Sequence, residues 1–176
     1  MRHGGWASMA TSALVCMLAA CTSPPATSQG MTAVDPPAGK SNWVVKNAVA
    51  VGEVAGSRPT DASSPPAVAA DVLRQALEQS LGEAGFLASS HKPRYHLDAA
   101  LQALDQPKFS IADDTTVTVR VQYRLIGPGT DAQYTVTSNG TATFDESSMF
   151  GTRLHLADER ALRANIETLL EKLQKF

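Results

Sequence analysis

Cysteine is scarce in this sequence, which contains only Cys16 and Cys21 among its 176 residues. Cys16 lies within an apolar leader and Cys21 directly follows that leader, so removal of the leader leaves no pair of cysteines for a disulfide. A Cys16–Cys21 bridge is the alternative, and it requires the leader to stay on the folded protein. We therefore expect a domain that its hydrophobic core alone holds together.

Charge is also limited, with 18% charged residues and a formal net charge of −2. A protein whose main partner is nucleic acid needs a concentrated positive field to bind phosphates, and this composition lacks one. The same composition argues against a basic patch that would hold the chain at a membrane by electrostatics. We expect no nucleic-acid partner, and membrane attachment needs another physical basis.

Catalytic and metal-binding motifs are missing as well, because the sequence contains no G-x-S-x-G, H-E-x-x-H, P-loop or G-x-G-x-x-G pattern. His96 and Asp98 lie two positions apart on one face of an expected strand, where they could share a metal ion. A zinc site needs three or four ligands and no third is evident, so a polar pair on a solvated face is favoured. We expect no enzyme activity, no catalytic or metal-binding residue and no cofactor.

Long hydrophobic runs are absent too. The apolar segment that ends at Leu18 is interrupted by serine and threonine and is shorter than the ~20 residues of a membrane-spanning helix. With Arg2 before it and the small residues Ala19 and Ala20 after it, the segment has the three parts of a cleavable signal peptide. We assign residues 1–20 to a lipoprotein signal peptide.

The cleavage site is the most specific motif in the chain. Leu18-Ala19-Ala20-Cys21 resembles a bacterial lipobox, in which small residues precede an acylated cysteine. The resemblance implies that Cys21 becomes the mature N-terminus and carries lipid, and each buried methylene then contributes about 0.8 kcal/mol to membrane binding. An ordinary secretory signal followed by a chance cysteine is the alternative. Thr22 stands where an aspartate tends to retain bacterial lipoproteins in the inner membrane, which implies by analogy an outer-membrane anchor with the domain facing the periplasm.

The rest of the chain divides into a tether and one domain. Residues 21–41 are rich in proline, serine, threonine, glycine and alanine, so we expect a lipidated N-terminus on a disordered tether. Residues 42–176 carry the periodic apolar patterns of a single folded domain. The expected elements are a strand over 43–54, a helix over 65–84, strands over 95–101, 116–125 and 133–144, and a helix over 158–174.

The order β-α-β-β-β-α predicts the fold class. The strand over 116–125 alternates valine, tyrosine and leucine with threonine, arginine and glutamine, which is typical of an antiparallel strand with one solvated face. Each helix carries one apolar stripe. We therefore expect an α+β two-layer sandwich, with a mostly antiparallel four-stranded sheet and two helices on one face. Asn139-Gly140 predicts a bulge or bend in the last strand, Asp158 is expected to cap the last helix, and residues 145–157 fit no single pattern.

The sequence resembles small outer-membrane lipoproteins of Gram-negative bacteria, typified by the YajG family. The features that carry the resemblance are the lipobox LAAC, a first strand that ends near Arg58-Pro59, and a helix that closes as LEQSLGEAGF before a strand meander and a C-terminal helix. The order of elements is also similar to that of the lipopolysaccharide-assembly lipoprotein family LptE. The resemblance implies a protein without enzyme activity.

Two surfaces are candidates for partner binding. The solvated sheet face is expected to carry Arg120, Gln122, Arg124 and His96, with the two arginines as anchors for another envelope protein or a glycan. Polar, threonine-rich strands are also the normal solvent face of a two-layer sheet, so a purely structural role is the alternative.

The second candidate surface lies in residues 145–157, where Met149 and Phe150 would mark a contact site if they are exposed. Burial over the end of the sheet is the alternative. From these surfaces we expect a non-catalytic lipoprotein that acts as an accessory or assembly subunit through protein–protein binding. The other hypothesis is a protein that binds a lipid or glycan of the lipopolysaccharide type.

Overall fold

The structure, a computed structural model, describes residues 25–34, 44–56, 68–89, 92–109 and 113–176. Within these ranges one sheet contains, in this order, the strands β1 (Val49–Ala55), β2 (Tyr95–Asp105), β3 (Thr115–Gly127) and β4 (Thr130–Ala142). The helices of the same ranges are α1 (Ser28–Met31), α2 (Ala70–Glu83) and α3 (Phe150–Gln174).

The topology follows from how neighbouring strands are connected. β1 pairs parallel with β2, and α2 supplies the crossover that a parallel pair requires. The pairs β2–β3 and β3–β4 are antiparallel. α2 packs on β1, and α3 packs on β3 and β4, so one continuous core lies between the sheet and these two helices. The predicted α+β sandwich, mostly antiparallel with both long helices on one face, is confirmed.

β3 shows most directly how sequence alternation becomes two faces. The side chains of Val117, Val119, Val121, Tyr123 and Leu125 are all buried under α3 and its neighbours. The residues between them are exposed or half-buried on the opposite side of the sheet. Period-two alternation in the sequence therefore gives one buried face and one solvent-exposed face, as predicted.

β4 is one long strand, as predicted, but it has no bulge. Its register with β3 runs unbroken from Gly127↔Thr130 to Thr115↔Ala142. Gly140 lies near the C-terminal end of this strand, where the backbone of α3 passes so close that a Cβ atom would overlap it. The predicted bend at Asn139-Gly140 is therefore wrong: the glycine serves a close strand–helix approach.

A buried polar group connects β3, β4 and α3. The hydroxyl of Tyr123 donates to Oδ1 of Asn165 at 2.9 Å. The Nδ2 group of Asn165 donates to the carbonyl of Val136 at 3.1 Å and to Oγ of Ser138 at 2.8 Å. Burial raises the pKa of Tyr123 far above its usual range, so the phenol stays protonated and keeps donating.

The first half of the domain differs from the prediction mainly at its boundaries. β1 begins at Val49, because residues 44–48 form turns and Asn47 has a φ of 51°. The predicted helix start near residue 65 lies outside the described residues. At the other end of α2, Gly85 has a φ of 71° and the amide of Phe86 donates to the carbonyl of Leu81 at 2.8 Å. The predicted left-handed glycine cap is thus confirmed.

The predicted start of the last helix is wrong. α3 begins at Phe150, two turns before the predicted start at Asp158. Asp158 lies inside the helix with 3% of its surface exposed, so it does not cap an end. The predicted strand end at residue 144 is also wrong: β4 ends at Ala142, and Phe144 lies in the turn that leads to α3.

Residues 25–34, which we call the strap, are packed between α2 and α3. Nε of Arg163 donates to the carbonyl of Gly30 at 3.0 Å, and the amide of Ala33 donates to Oγ of Ser80 at 3.0 Å. Met31 is fully buried between these contacts. The strap corrects the predicted tether over this part of residues 21–41, because an apolar side chain and several polar contacts hold it on the domain.

Candidate functional site

The outer face is the side of the sheet that none of the described helices covers, and we define it by Thr116, Thr118, Arg120, Gln122 and Arg124 of β3 with their neighbours on β2 and β4. The register places Arg124 between Asp98 and Gln133, Gln122 between Ala100 and Thr135, and Arg120 between Ala103 and Thr137. The three candidate partner-binding residues of β3 therefore share one face.

Two of these candidate residues, Arg124 and Gln122, already have partners within the face. Nε and Nη2 of Arg124 donate to the two carboxylate oxygens of Asp131 at 2.7 Å and 2.6 Å. The hydrogen bond with Arg124 lowers the pKa of Asp131, and the hydrogen bond with Asp131 raises the pKa of Arg124. The side chain of Gln122 accepts a hydrogen bond from Nε2 of Gln102 at 2.6 Å. A ligand for either residue has to compete with a partner already in place.

Arg120 differs from the other two. Its side chain is exposed, and it makes no hydrogen bond or ion pair with any other residue in the part of the chain that the structure describes. The cross-strand neighbours Ala103 and Thr137 are small. Arg120 is therefore an uncompensated positive charge near the middle of the outer face.

His96 lies on the same face but does not form a metal site with Asp98. The carboxylate of Asp98 turns toward β1, where its Oδ1 accepts from the amide of Glu53 at 2.8 Å. Gly52 makes this possible, because a Cβ atom there would overlap the Asp98 carboxylate. No group of three histidine, cysteine, aspartate or glutamate residues that could hold a metal ion is present among the described residues. The position of Gly52 inside the pattern of the first strand was the sequence signal for the close approach of the Asp98 carboxylate to β1.

The concave feature of the outer face is a shallow depression of about 230 Å³. Its polar lining residues are Glu53, Asp98, Gln122, Arg124 and Gln133. The depression is smaller than the ~300–1,000 Å³ of typical small-molecule sites and it lies open to solvent. This depression of the outer face is therefore shallow and open rather than enclosed.

The second surface is the apolar end, which we define as Phe109, Phe144, Met149 and Phe150. The exposed fractions of Phe109, Phe144 and Met149 are 70%, 42% and 67%. Phe150 is half-buried, and its ring meets that of Phe109 edge-on with 5.2 Å between ring centroids. Val34, in the strap, is the other large apolar side chain that is exposed in the described ranges.

Tertiary structure brings the apolar end together from two chain segments. Phe109 follows β2, whereas Phe144, Met149 and Phe150 lie between the end of β4 and the first residue of α3. The buried guanidinium of Arg153 organises the region: its Nη1 donates to the carbonyl of Ser147 at 2.7 Å, and its Cζ lies 5.3 Å from the centre of the Phe144 ring.

Carboxylates surround the apolar end. Oδ1 of Asp114 accepts from the amide of Phe144 at 3.0 Å. Glu146 forms an ion pair with Arg160, and this hydrogen bond, with that from the Thr143 amide, lowers the pKa of Glu146 to about 2. The rim therefore combines carboxylates with the guanidinium groups of Arg153 and Arg160, and these residues give it no excess of positive charge.

The sequence located only part of this surface. Of the predicted contact pair, Met149 is exposed and Phe150 is half-buried, whereas Leu154, in the same stretch, packs into the core. Phe109 was missed because only the fold brings it to the same end as the start of α3, and Phe144 was missed because the predicted last strand extended to residue 144. The predicted cleavage and lipidation residues Leu18 to Cys21 lie outside the described residues and stay predictions. No helix in the described part of the chain is both long and apolar enough to cross a bilayer.

Comparison with known proteins informs the fold only. No protein-family model matches the chain, and no curated protein matches it. A hypothetical protein from Chlamydia trachomatis is similar in structure, with a TM-score of 0.52 at 11% sequence identity, over 74% of this chain and 99% of that one. A likeness at this identity shows a shared fold.

Two other solved structures are more distant. A DUF330-family protein from Xanthomonas campestris gives a TM-score of 0.47 at 15% identity, covering 74% of this chain and 86% of that one. A protein assigned as a lipoprotein from Caulobacter crescentus gives 0.46 at 12% identity, covering 75% and 91% of the two chains.

Proposed function

We propose that this chain is a lipid-anchored, non-catalytic protein of the bacterial envelope that acts as an accessory or assembly subunit by binding another protein. The lipobox Leu18-Ala19-Ala20-Cys21 supports the anchor, and Thr22 after the cysteine favours the outer membrane by analogy with bacterial lipoproteins. The folded domain would then face the periplasm.

The observation that carries the binding role is the open outer face. Among the described residues, no layer covers one side of the four-stranded sheet, and its depression is too shallow to enclose a small substrate. Arg120 stands on this face as an exposed cation that has no partner in the described ranges. A broad surface with one available arginine suits a protein partner, because arginine is among the residues that dominate binding energy at interfaces.

Crosslinking of the intact lipidated protein in membranes would identify the partner, and titration of the purified partner would then test the surface. We expect Arg120→Glu to weaken binding by about tenfold, the loss expected when an interface anchor is removed. Lys46→Glu makes the same charge change in the turn before β1 and should leave the affinity unchanged. Equal affinity of wild type and Arg120→Glu would remove the outer face from the proposal.

A glycolipid of the lipopolysaccharide type is the second candidate ligand. The exposed side chains of the apolar end favour it, because acyl chains bind to apolar surfaces. Mass spectrometry of protein purified in mild detergent separates the two candidates. A stoichiometric glycolipid without a protein partner supports the second, and a stable protein complex without glycolipid supports the first.

A further inference from the structure

The apolar end has an unusual composition for the surface of a water-soluble domain. Phe109 lies on the connection after β2, Phe144 and Met149 lie on the connection between β4 and α3, and each exposes a large part of its side chain at the same end of the sheet. Isolated exposed apolar residues are normal, but a group of them marks contact with a protein or a membrane.

The strap limits how far the proposed lipid anchor on Cys21 can lie from the folded domain. The amide of Thr27 donates to Oε1 of Glu159 at 2.8 Å, which fixes the start of the strap on α3. Cys21 precedes Thr27 by six positions, so even a fully extended chain places its sulfur within about 22 Å of that point. The membrane anchor is therefore confined to the neighbourhood of α3.

Distances along α3 then distinguish its two ends. Phe150 lies nine positions before Glu159, which is about 13 Å along the helix axis. Gln174 lies fifteen positions after Glu159, about 23 Å in the opposite direction. The extended segment between Thr27 and Cys21 is longer than the distance along α3 from Glu159 to the apolar end. It is slightly shorter than the distance from Glu159 to the C-terminal end of α3.

We propose that the apolar end is a membrane-contact surface, which rests in the interface of the same bilayer that holds the lipid of Cys21. This inference rests on the lipid anchor proposed above. α3 and the sheet then stand away from the membrane, and the outer face is presented sideways to a partner. The contact is the second attachment that stabilises a lipid-anchored protein on a bilayer.

The charged rim defines the kind of contact. Asp114, Asp145 and Glu146 lie near the aromatic side chains in the chain, and Lys108, Arg153 and Arg160 are the nearby positive charges. A surface with no excess of positive charge gains nothing from anionic headgroups. The apolar end should therefore bind uncharged or zwitterionic lipid at least as well as anionic lipid.

A fluorescent label at each end of α3 tests the proposal. Once the leader is removed and Cys21 is acylated, the chain has no free thiol, so an introduced cysteine is a unique labelling site. Met149→Cys places the label at the start of α3, and Lys175→Cys places the matched control label at its C-terminal cap. Both full-length proteins are produced with their leader, acylated, and reconstituted into phosphatidylcholine vesicles that contain lipids brominated along the acyl chain.

We expect the label at position 149 to lose about half of its emission to the brominated lipids and the label at position 175 to lose almost none. Combining Phe109→Asp with Phe144→Asp should abolish most of the loss at position 149. Val34→Asp, which removes an equally exposed apolar side chain in the strap, should not change it. A share of phosphatidylglycerol in the vesicles should not increase the quenching.

Three results would overturn the proposal: no quenching at position 149 in acylated, vesicle-bound protein, equal quenching at both positions, or quenching that the two aspartates do not change. Protection of the 149 label only after envelope proteins are added would assign the apolar end to a protein instead. Failure of the anchor itself is recognised separately, because mass spectrometry would then find Cys21 unmodified.

Discussion

At the scale of single residues, glycines mark where two backbones approach. Gly140 allows β4 to lie against α3, and a Cβ atom there would overlap the backbone at Ala157 and Ala161. By contrast, a Cβ atom at Gly82 in α2 would have only Leu87 as a neighbour, at 3.9 Å. The same residue type therefore has opposite consequences at these two positions.

Gly140→Ala should lower the free energy of unfolding by about 2–4 kcal/mol, because the strand or the helix must move to admit the methyl group. Gly82→Ala is the control and should raise it by up to about 0.5–1 kcal/mol, because alanine loses less backbone entropy in a helix. Urea denaturation of the two variants measures both changes. Equal stability of Gly140→Ala and wild type would contradict the close packing of β4 on α3.

Asp158 is a buried carboxyl group with an altered titration. Burial raises its pKa to about 6, the negative charge of Glu159 adds to this rise, and the hydrogen bond from Gln106 opposes it. The folded state thus binds the proton more tightly than the unfolded chain does. The contribution of Asp158 to stability is fully present below the ordinary pKa of 3.8, falls as the pH rises towards about 6, and stays low above that.

Asp158→Asn should remove this loss of stability at higher pH, because the amide is neutral and its oxygen still accepts a hydrogen bond from Gln106. We expect the variant to be more stable than wild type by about 1–2 kcal/mol at pH 7 and to have no advantage at pH 4. Chemical denaturation across this pH range measures the difference. Asp145→Asn on the exposed turn is the control, and a constant difference between Asp158→Asn and wild type at all pH values would contradict the burial effect.

At the scale of elements, α3 and the strap depend on each other. The helix begins early because its first turns bury polar side chains, among them Arg153, Asp158 and Glu159, which find partners in the loops and the strap. Such turns lack the apolar periodicity that identifies a helix in a sequence. The strap in turn relies on Gly30, where a Cβ atom would overlap the carboxylate of Glu159.

Gly30→Val should therefore detach the strap without unfolding the domain. We expect the amides of Thr27 and Ala33 to lose their protection from hydrogen exchange, with a decrease of about 1–2 kcal/mol in the free energy of unfolding. Gln29→Ala, at an exposed position of α1, should change neither. Retained protection in Gly30→Val would mean that Glu159 does not hold the strap.

At the scale of the whole molecule, the proposed anchor, the strap and the apolar end give the domain a defined orientation. The anchor is the prediction on which this orientation depends. Cys21→Ser should move the protein from the membrane fraction to the soluble fraction and remove the mass of the acyl groups.

The other cysteine supplies the control for the anchor. Cys16→Ser should leave both the membrane localisation and the lipid mass unchanged, because Cys16 belongs to the predicted leader. Membrane attachment of Cys21→Ser after a wash with high salt would indicate an anchor elsewhere in the chain.

Local patterns in the sequence were sufficient for the α+β class, the wet and dry faces of β3, the glycine cap of α2 and the lipobox prediction, because each depends on residues close together in the chain. Tertiary structure alone decided the early start of α3, the docking of the strap and the grouping of Phe109 with Phe144 and Met149. These features depend on contacts between distant residues, such as Thr27 with Glu159, and on polar side chains that are buried only because partners meet them. Periodicity describes which face of an element is apolar, and it contains no information about what that face will meet.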